Sequence, residues 1–537
     1  MSFVSFPPRP PSRLTLGIAA IAAAALGVFW PALAGGWLWD DGLEVADNPF
    51  LRGLSGLGAI WRGASGQDYF PLKDTLLWAQ WHLWADHTTG YHLINVGCHV
   101  LCALLLWRVL YKLGVGRSAG NGAATLFPAW CGALLFTIHP LAVESVAWIA
   151  EFKNLASLAL LLLAADRYLD FSEGTHHRRS YWWSLAWFGG AMLAKSSVVM
   201  FPVMQLLHAR WRKGGISRSD LRNAVPFFVV SVVLGLTTVW LQHHRAMADA
   251  PFPGEGWWSR VAAAGLAAPT YLYRCLFPFE LMPIYPRWNV ASPSLLQFLP
   301  WAALAAAAAW AQRQKSPIGR AAAFGGACFF VNLIPVLGFV PMAFQRLSWT
   351  ADHWAYVSLA CYCGLVAAAV GAAWNPVRQW LMAAVLLVMV PLGCESRALA
   401  GHYQNAEALW AYELAQNPGA WSAEYSLGTL LLQRGQIPAG TGHLRRAVGL
   451  QPDFVPARLN LANALIVQGE FLEGLVQYRQ ALRLQPGSPE IHYNLGNAFW
   501  RMRRKGEAIA EYREALRLRP DYPEAAANLQ GALRSSR

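Results

Sequence analysis

The chain has 537 residues, 55% hydrophobic and 13% aromatic, yet only 14% charged. Soluble globular chains carry about 25% charged residues, so this composition excludes an ordinary soluble protein. The net charge of +13 does not read as a nucleic-acid surface, because much of the basic charge before residue 400 falls in short loops between apolar runs.

A membrane span needs about 20 apolar residues at a rise of about 1.5 Å each. The first runs from about Leu14 to Leu33, after Arg9 and Arg13. Ala32-Leu33-Ala34 also fits a signal-peptidase site, but the apolar stretch is long for a signal peptide and reads as a retained helix. Further spans fall near 92–113, 123–138, 155–169, 181–194, 196–209, 224–241, 296–311, 321–340, 354–374 and 380–395. The basic groups Arg178-Arg179, Arg210 to Arg222 and Arg313 to Arg320 lie between spans and orient them, cytoplasmic side to the basic loops. Counting 259–277 as a span would put the last of these loops outside, so it reads as re-entrant or interfacial. The result is about eleven spans, with the N-terminus inside and the tail outside. The eight cysteines lie in or beside apolar runs and read as small buried hydrophobes, not as a disulfide framework.

Candidate chemistry collects at the outer ends of these spans. Asp40 and Asp41 follow the first span, with Glu44 and Asp47 behind them. Adjacent carboxylates repel and desolvate poorly, so beside a membrane they call for a role. One can take a proton from an acceptor hydroxyl while the other orients it or holds a cation. The external loop 35–91 is rich in tryptophan, consistent with amphipathic segments at headgroup level. His92, Asn95 and His99 share one face of the second span. In the segment from His139 to Lys153, Glu144, Trp148 and Glu151 recur at helical spacing, which predicts a short helix presenting them on one face with Lys153 near. Lys195 sits in the turn between two short spans, expected below the outer surface. Asp352, His353 and Tyr356 open the tenth span. Lys195, Arg274, Arg287 and Arg346 are outer-side cations able to hold a phosphate, with His139 as a further candidate. No His/Cys spacing completes a zinc site, though an acidic pair could bind a divalent ion.

The tail is a repeat. Pro418, Pro452, Pro486 and Pro520 stand 34 residues apart, the period of a tetratricopeptide (TPR) repeat. Leu427, Leu461, Leu495 and Leu529 keep the same phase, as do Gly428, Ala462 and Gly496. About three repeats plus a capping helix are expected over 417–537, with 401–416 an amphipathic adaptor. Ser426, Asn460, Asn494 and Asn528 form another column in phase, with Asn463 and Asn497 beside it; such amides can pair with an extended peptide. That column resembles the asparagine ladder in the TPR superhelix of O-GlcNAc transferase. The fold expected is therefore all-α, a polytopic membrane domain over 1–400 followed by an α-solenoid.

WDD at 39–41, YFPL at 69–72, GYHLINVGCH at 90–99, HPLAVESVAWIAEFKN at 139–154, LAKSSVVMFP at 193–202, FPFELMPIYP at 277–286 and DHWAYVSL at 352–359 occur in this order. Together with the repeats they resemble the transmembrane-and-TPR O-mannosyltransferase family and its bacterial relatives. Relatives usually show Arg where His353 stands and Pro where Ser196 follows Lys195. The resemblance implies a GT-C membrane glycosyltransferase in a bacterial inner membrane, with its TPR domain periplasmic. Such an enzyme takes a sugar from a polyprenyl-phosphate donor to a hydroxyl, in eukaryotic relatives mannose to protein Ser or Thr. By the same resemblance Asp40 and Asp41 act at the acceptor. The alternative is a non-catalytic membrane scaffold recruiting partners through its TPRs. A transporter would place charges mid-span and show repeated halves, and neither is present.

Overall fold

A computed structural model describes residues 11–64, 68–115, 126–174, 177–247 and 256–535. Arg9 and positions 123–125 of one expected span lie outside them. Every regular element among the described residues is helical. The chain divides into two compact units, Met1–Asn405 and Ala406–Arg537.

The first unit begins with α1 (Pro11–Phe29), α2 (Leu54–Trp61), α3 (Pro71–Trp84), α4 (Thr88–Lys112), α5 (Phe127–Ile138), the short α6 (Val143–Ala147) and α7 (Phe152–Ser172). It continues with α8 (His177–Ala194), α9 (Phe201–Lys213), α10 (Arg218–Leu241), α11 (Trp257–Leu276), α12 (Leu299–Gln312), α13 (Pro317–Leu333) and α14 (Tyr356–His402). Among the described residues, six helical stretches are long and apolar enough to cross a bilayer: Leu14–Ala34, Thr88–Lys112, Arg218–Arg245, Leu295–Gln312, Pro317–Val336 and Asp352–Ala373. Phe127–Ile138 with Pro140–Ala147, bent by 57°, makes a seventh if taken as one broken span. Of the other expected spans, 155–169 and 181–194 lie in α7 and α8, 196–209 in a short turn followed by α9, and 380–395 in α14.

α14 is continuous in its hydrogen bonding, yet it cannot be straight. Tyr356 Oη lies 2.7 Å from His99, whose other nitrogen meets the Thr137 carbonyl. Ser396 donates to the neighbouring Ile138 carbonyl at 2.6 Å. Forty residues of straight helix would separate Tyr356 and Ser396 by about 60 Å, so the run doubles back into two legs, the pair expected at 354–374 and 380–395. Gly132 lets the first leg approach α5. A Cβ there would stand 2.8 Å from both Ala367 Cβ and the Cys363 carbonyl.

The bundle has two chemically different ends. At one, Arg108 and Lys112 on α4 each reach Asp166 on α7 at 2.6 Å, Arg212 reaches Glu173, and Trp211 stacks on Phe324. The basic turns of the sequence gather here. At the other end the connectors carrying the acidic residues meet. α11 keeps both its ends on that side: the Trp257 ring faces Phe339 and Arg274 faces Asp352, both in the connector between α13 and α14. This matches the interfacial reading of 259–277.

The second unit stacks α15 (Ala406–Gln416), then the pairs α16 (Trp421–Gln433) with α17 (Ile437–Leu450), α18 (Val455–Gln468) with α19 (Phe471–Leu484), and α20 (Pro489–Arg501) with α21 (Lys505–Leu518), closed by α22 (Pro523–Arg534). Pro418 falls in the turn after α15, and Pro452, Pro486 and Pro520 each fall in the turn after a pair. The small-residue column is where paired helices touch: a Cβ on Gly496 would meet the Tyr512 ring at 2.6 Å. Leu444, Leu461 and Leu465 form one buried cluster, while Leu495, Tyr478 and Tyr512 belong to another spanning the later repeats.

Candidate active site

Asp40 and Asp41, adjacent in sequence, have opposite surroundings. Asp41 is fully buried, and both of its oxygens are engaged. The Leu38 N–H donates to Oδ2 at 2.8 Å and the Ala150 N–H donates to Oδ1 at 2.7 Å. The first bond closes its own turn; the second ties that turn to the connector between α5 and α7. Asp40 lies alongside with its Oδ1 enclosed and without a hydrogen-bond partner. Burial pushes the Asp40 carboxyl up to about 6, against the pull of Lys153 and Lys73 and with the charges of Glu44 and Glu151 adding to it. Burial and the Asp40 charge push Asp41 up too, against its two N–H donors. Trp39, just before the pair, holds φ at +39°, a sparsely populated conformation for a bulky residue. Its ring stacks on Trp148, with centroids 5.1 Å apart and planes 7° from parallel.

The helical face expected from Glu144 to Glu151 is not formed. The backbone breaks at Trp148, which is extended (φ −95°, ψ 122°) between α6 and a single turn at Ile149–Glu151. The cause lies in two neighbours. Asn95 on α4 donates to the Val146 and Trp148 carbonyls, both at 3.2 Å, and Asp41 takes the Ala150 N–H. These bonds replace those a continuous helix would make. Consequently Glu144 and Glu151 face different partners. Glu144 Oε2 accepts the His353 N–H at 2.8 Å and stands 3.1 Å from His353 Nδ1, while its Oε1 is enclosed and unpartnered. Glu151 lies 2.9 Å from Lys153 Nζ and 3.5 Å from Lys195 Nζ. Asn154 bridges them: it donates to Glu151 and accepts from Lys195 at 2.6 Å. Burial alone would raise Glu151, but His353, Lys153 and Lys195 hold it well below the usual carboxylate range.

Lys195 is buried, as its place in the short turn implies, and its ammonium is committed to Glu151 and Asn154. Arg274 Nη1 lies 3.6 Å from Asp352, and its guanidinium stacks over the Tyr285 ring at 3.2 Å. The Tyr285 hydroxyl donates to Asp352 at 2.9 Å. Arg287 stacks over Trp349 at 4.6 Å, and Arg346 is half-buried in the same connector that carries Gln345 and Asp352. His139 is spent on backbone, with Nε2 3.0 Å from the Cys275 carbonyl and Nδ1 accepting from Leu141 N–H. His99 is likewise occupied by Thr137 and Tyr356. His92 is buried with neither nitrogen hydrogen bonded. Two members of the cluster had no part in the sequence expectation. Lys73, paired with Glu44 and Asp74, directly follows the YFPL block, and Asn154 closes the EFKN block. Among the described residues no group of three His, Cys, Asp or Glu is arranged to hold a metal ion.

Blocks 41 to 257 residues apart thus meet in pairs: WDD with WIAE, LAKS with EFKN, HPLAVES and GYHLINVGCH each with DHWAY. They share the end of the bundle opposite the basic turns. A protein O-mannosyl-transferase of Caenorhabditis elegans, F38B6.6, is 29% identical over 145 residues, covering 24% of this chain and 20% of its own length. The Drosophila melanogaster protein O-mannosyl-transferase Tmtc3 is 26% identical over 208 residues, 34% of this chain and 22% of the relative. The chain is a distant relative of the protein O-mannosyl-transferases. The matches span about a fifth of the length of these curated relatives. The tetratricopeptide repeat family matches residues 398–453 and 459–523. A solved TPR protein with an unusual peptide-binding site, YrrB, is similar at a TM-score of 0.24 and 16% identity, over 49% of this chain and all of its own.

In the TPR unit the asparagine column is partly paired with itself. Asn460 donates to Thr429 Oγ1 at 3.1 Å and Asn528 to Asn497 Oδ1 at 2.8 Å, each bond crossing from one repeat to the one before. The Tyr478 and Tyr512 hydroxyls donate to Asn463 and Asn497. Asn494 and Ser426 remain half-exposed.

Proposed function

We propose that the chain is a membrane glycosyltransferase that moves a sugar from a polyprenyl-phosphate donor to a hydroxyl, Ser or Thr of a protein acceptor, on the outer face of the membrane. The observation that carries this reading is Asp40: an enclosed, unpartnered carboxylate oxygen with its proton affinity raised to about 6, poised where a general base is useful at neutral pH. In the reaction the acceptor oxygen attacks the anomeric carbon and its proton passes to Asp40. The bond from that carbon to the phosphate oxygen breaks, and the phosphate leaves with the electron pair. Arg274, Arg346, Arg287 and Lys195 are the cations we assign to the departing phosphate, with Lys195 and Arg274 exchanging contacts with Glu151 and Asp352 for it. We assign the base to Asp40 rather than Asp41 because each Asp41 oxygen already accepts a backbone N–H, from Leu38 and Ala150, so that Asp41 fixes the turn on which Asp40 stands. Glu144, with one free oxygen beside His353, is the second carboxylate able to meet the acceptor. The TPR unit, by the same reading, docks the acceptor protein on the outer side through the faces carrying Ser426 and Asn494.

The test is transfer itself. Membranes carrying the protein, given radiolabelled polyprenyl-phosphate mannose and a Ser/Thr-rich peptide, should yield labelled peptide, and Asp40→Asn should abolish it. Equal labelling by wild type and Asp40→Asn would sink the mechanism and leave the scaffold reading. A reporter fused after Gln416 should respond as external; a cytoplasmic signal would remove the TPRs from the acceptor's side.

A further inference from the structure

A second site lies away from this chemistry, and only the exclusion of the sugar donor from it rests on that reading. Between α4, α7, α9, α13 and α14 runs a chamber of about 440 Å³, a volume typical of ligand pockets, about 300–1,000 Å³. Along α14 it extends from Val357 to Ala372, and along α13 from Cys328 to Pro317. Fifteen helical residues are roughly 22 Å, so the space is long and narrow. Small residues open it, among them Gly325, Ala360, Gly364 and Ala368. Apart from two cysteines and the Trp211 indole its wall offers no polar side chain. A compact polar solute would find nothing to orient it there, whereas a hydrocarbon chain needs no partner.

The far end of the chamber, at Leu113, Pro317 and Ile318, belongs to the basic end of the bundle. Several cations there are taken: Lys112 by Asp166 and Asp170, Arg212 by Glu173, Lys213 by Asp220. Arg313, Lys315 and Arg320 differ. All three are exposed, flank the rim residues Pro317 and Ile318, and make no ion pair with any described residue. Free positive charge therefore stands at the mouth of the chamber. We propose that the chamber holds one acyl chain of an anionic phospholipid whose headgroup sits on the Arg313-Lys315-Arg320 turn. A sugar donor would carry its phosphate to the opposite end, beside Asp40, so charge placement assigns this chamber to a membrane lipid.

The experiment uses the full chain, purified and delipidated, in native mass spectrometry and thermal unfolding with added phosphatidylglycerol, phosphatidylcholine or polyprenyl phosphate. One phosphatidylglycerol per chain should bind and raise the melting temperature, with phosphatidylcholine at least tenfold weaker. Ala368→Phe, which fills the slot, should lose the adduct. The triple change Arg313→Gln, Lys315→Gln, Arg320→Gln alters only exposed side chains, so it should fold, and should bring phosphatidylglycerol down to the level of phosphatidylcholine. Three things would each overturn the assignment: an undiminished adduct in Ala368→Phe, unchanged preference in the triple variant, or displacement of phosphatidylglycerol by equimolar polyprenyl phosphate.

Discussion

Replacing Asp40 and Asp41 one at a time by Asn should move stability in opposite directions. At Asp40 the folded state raises the carboxyl from 3.8 to about 6. The sign follows from proton binding: the folded state holds the proton more tightly, so ionisation costs stability above pH 6, and the cost fades as pH falls from 6 towards 3.8. Two units at about 1.36 kcal/mol each give at most about 3 kcal/mol at pH 7. Asp40→Asn removes that cost, so the variant should melt above wild type at pH 7.5, and the gap should fall to about half near pH 5 and close only towards pH 3.8. At Asp41 an amide can accept only one of two inward N–H donors, and its own NH₂ then faces the other. Losing a charge-assisted bond costs about 1.5–3 kcal/mol. Relief of the buried charge trims this, leaving a net loss of about 1 kcal/mol. Thermal unfolding in one detergent across pH 5–8, paired with transfer assays, measures both. Turnover in Asp40→Asn should fall by about 10²–10⁴-fold, the usual worth of general-base help. The reasoning is refuted by Asp40→Asn melting below wild type while Asp41→Asn melts at or above it.

Other expectations follow from the same contacts. Wild-type transfer should rise with pH through about 6, tenfold per unit below it, because the base must be ionised; a flat profile from pH 5 to 8 would exclude Asp40. Asn95→Leu keeps the volume of the side chain but leaves the Val146 and Trp148 carbonyls unpaired, freeing the turn to rewind. Its effect on turnover should overlap that of Asp41→Asn in a double-mutant cycle, and strict additivity would show that the two do not act through one turn. Asn528→Ala should destabilise the TPR unit by about 1 kcal/mol in urea unfolding, since it cuts the bond to Asn497. Asn494→Ala should leave unfolding unchanged and weaken acceptor-peptide binding, so a stability loss at Asn494 would place it in the inter-repeat network instead.

How much of this was legible depends on whether a feature is periodic. The TPR phase is written in the chain because every repeat solves the same packing problem, with Gly428 and Gly496 admitting their partner helices and proline ending each pair. Apolar runs gave the helices of the membrane domain for the same reason. The acidic residues were found as residues, but their division of labour was not. Glu144, Trp148 and Glu151 carry helical spacing, and nothing local tells that Asn95 and Asp41 will take the bonds of that helix. Nor does anything in the Asp40-Asp41 pair say that one carboxylate will be saturated by N–H donors, one of them 109 positions away. These outcomes depend on which connectors converge, a property of topology. The same dependence gives the site its asymmetry. A carboxylate held by two backbone donors is a firm anchor, and its neighbour, denied partners by the same packing, keeps an open oxygen, while burial raises the proton affinity of both. One rigid turn therefore supplies both the anchor and the base, and the strained Trp39 immediately before it shows that this geometry is held by its surroundings rather than by local preference.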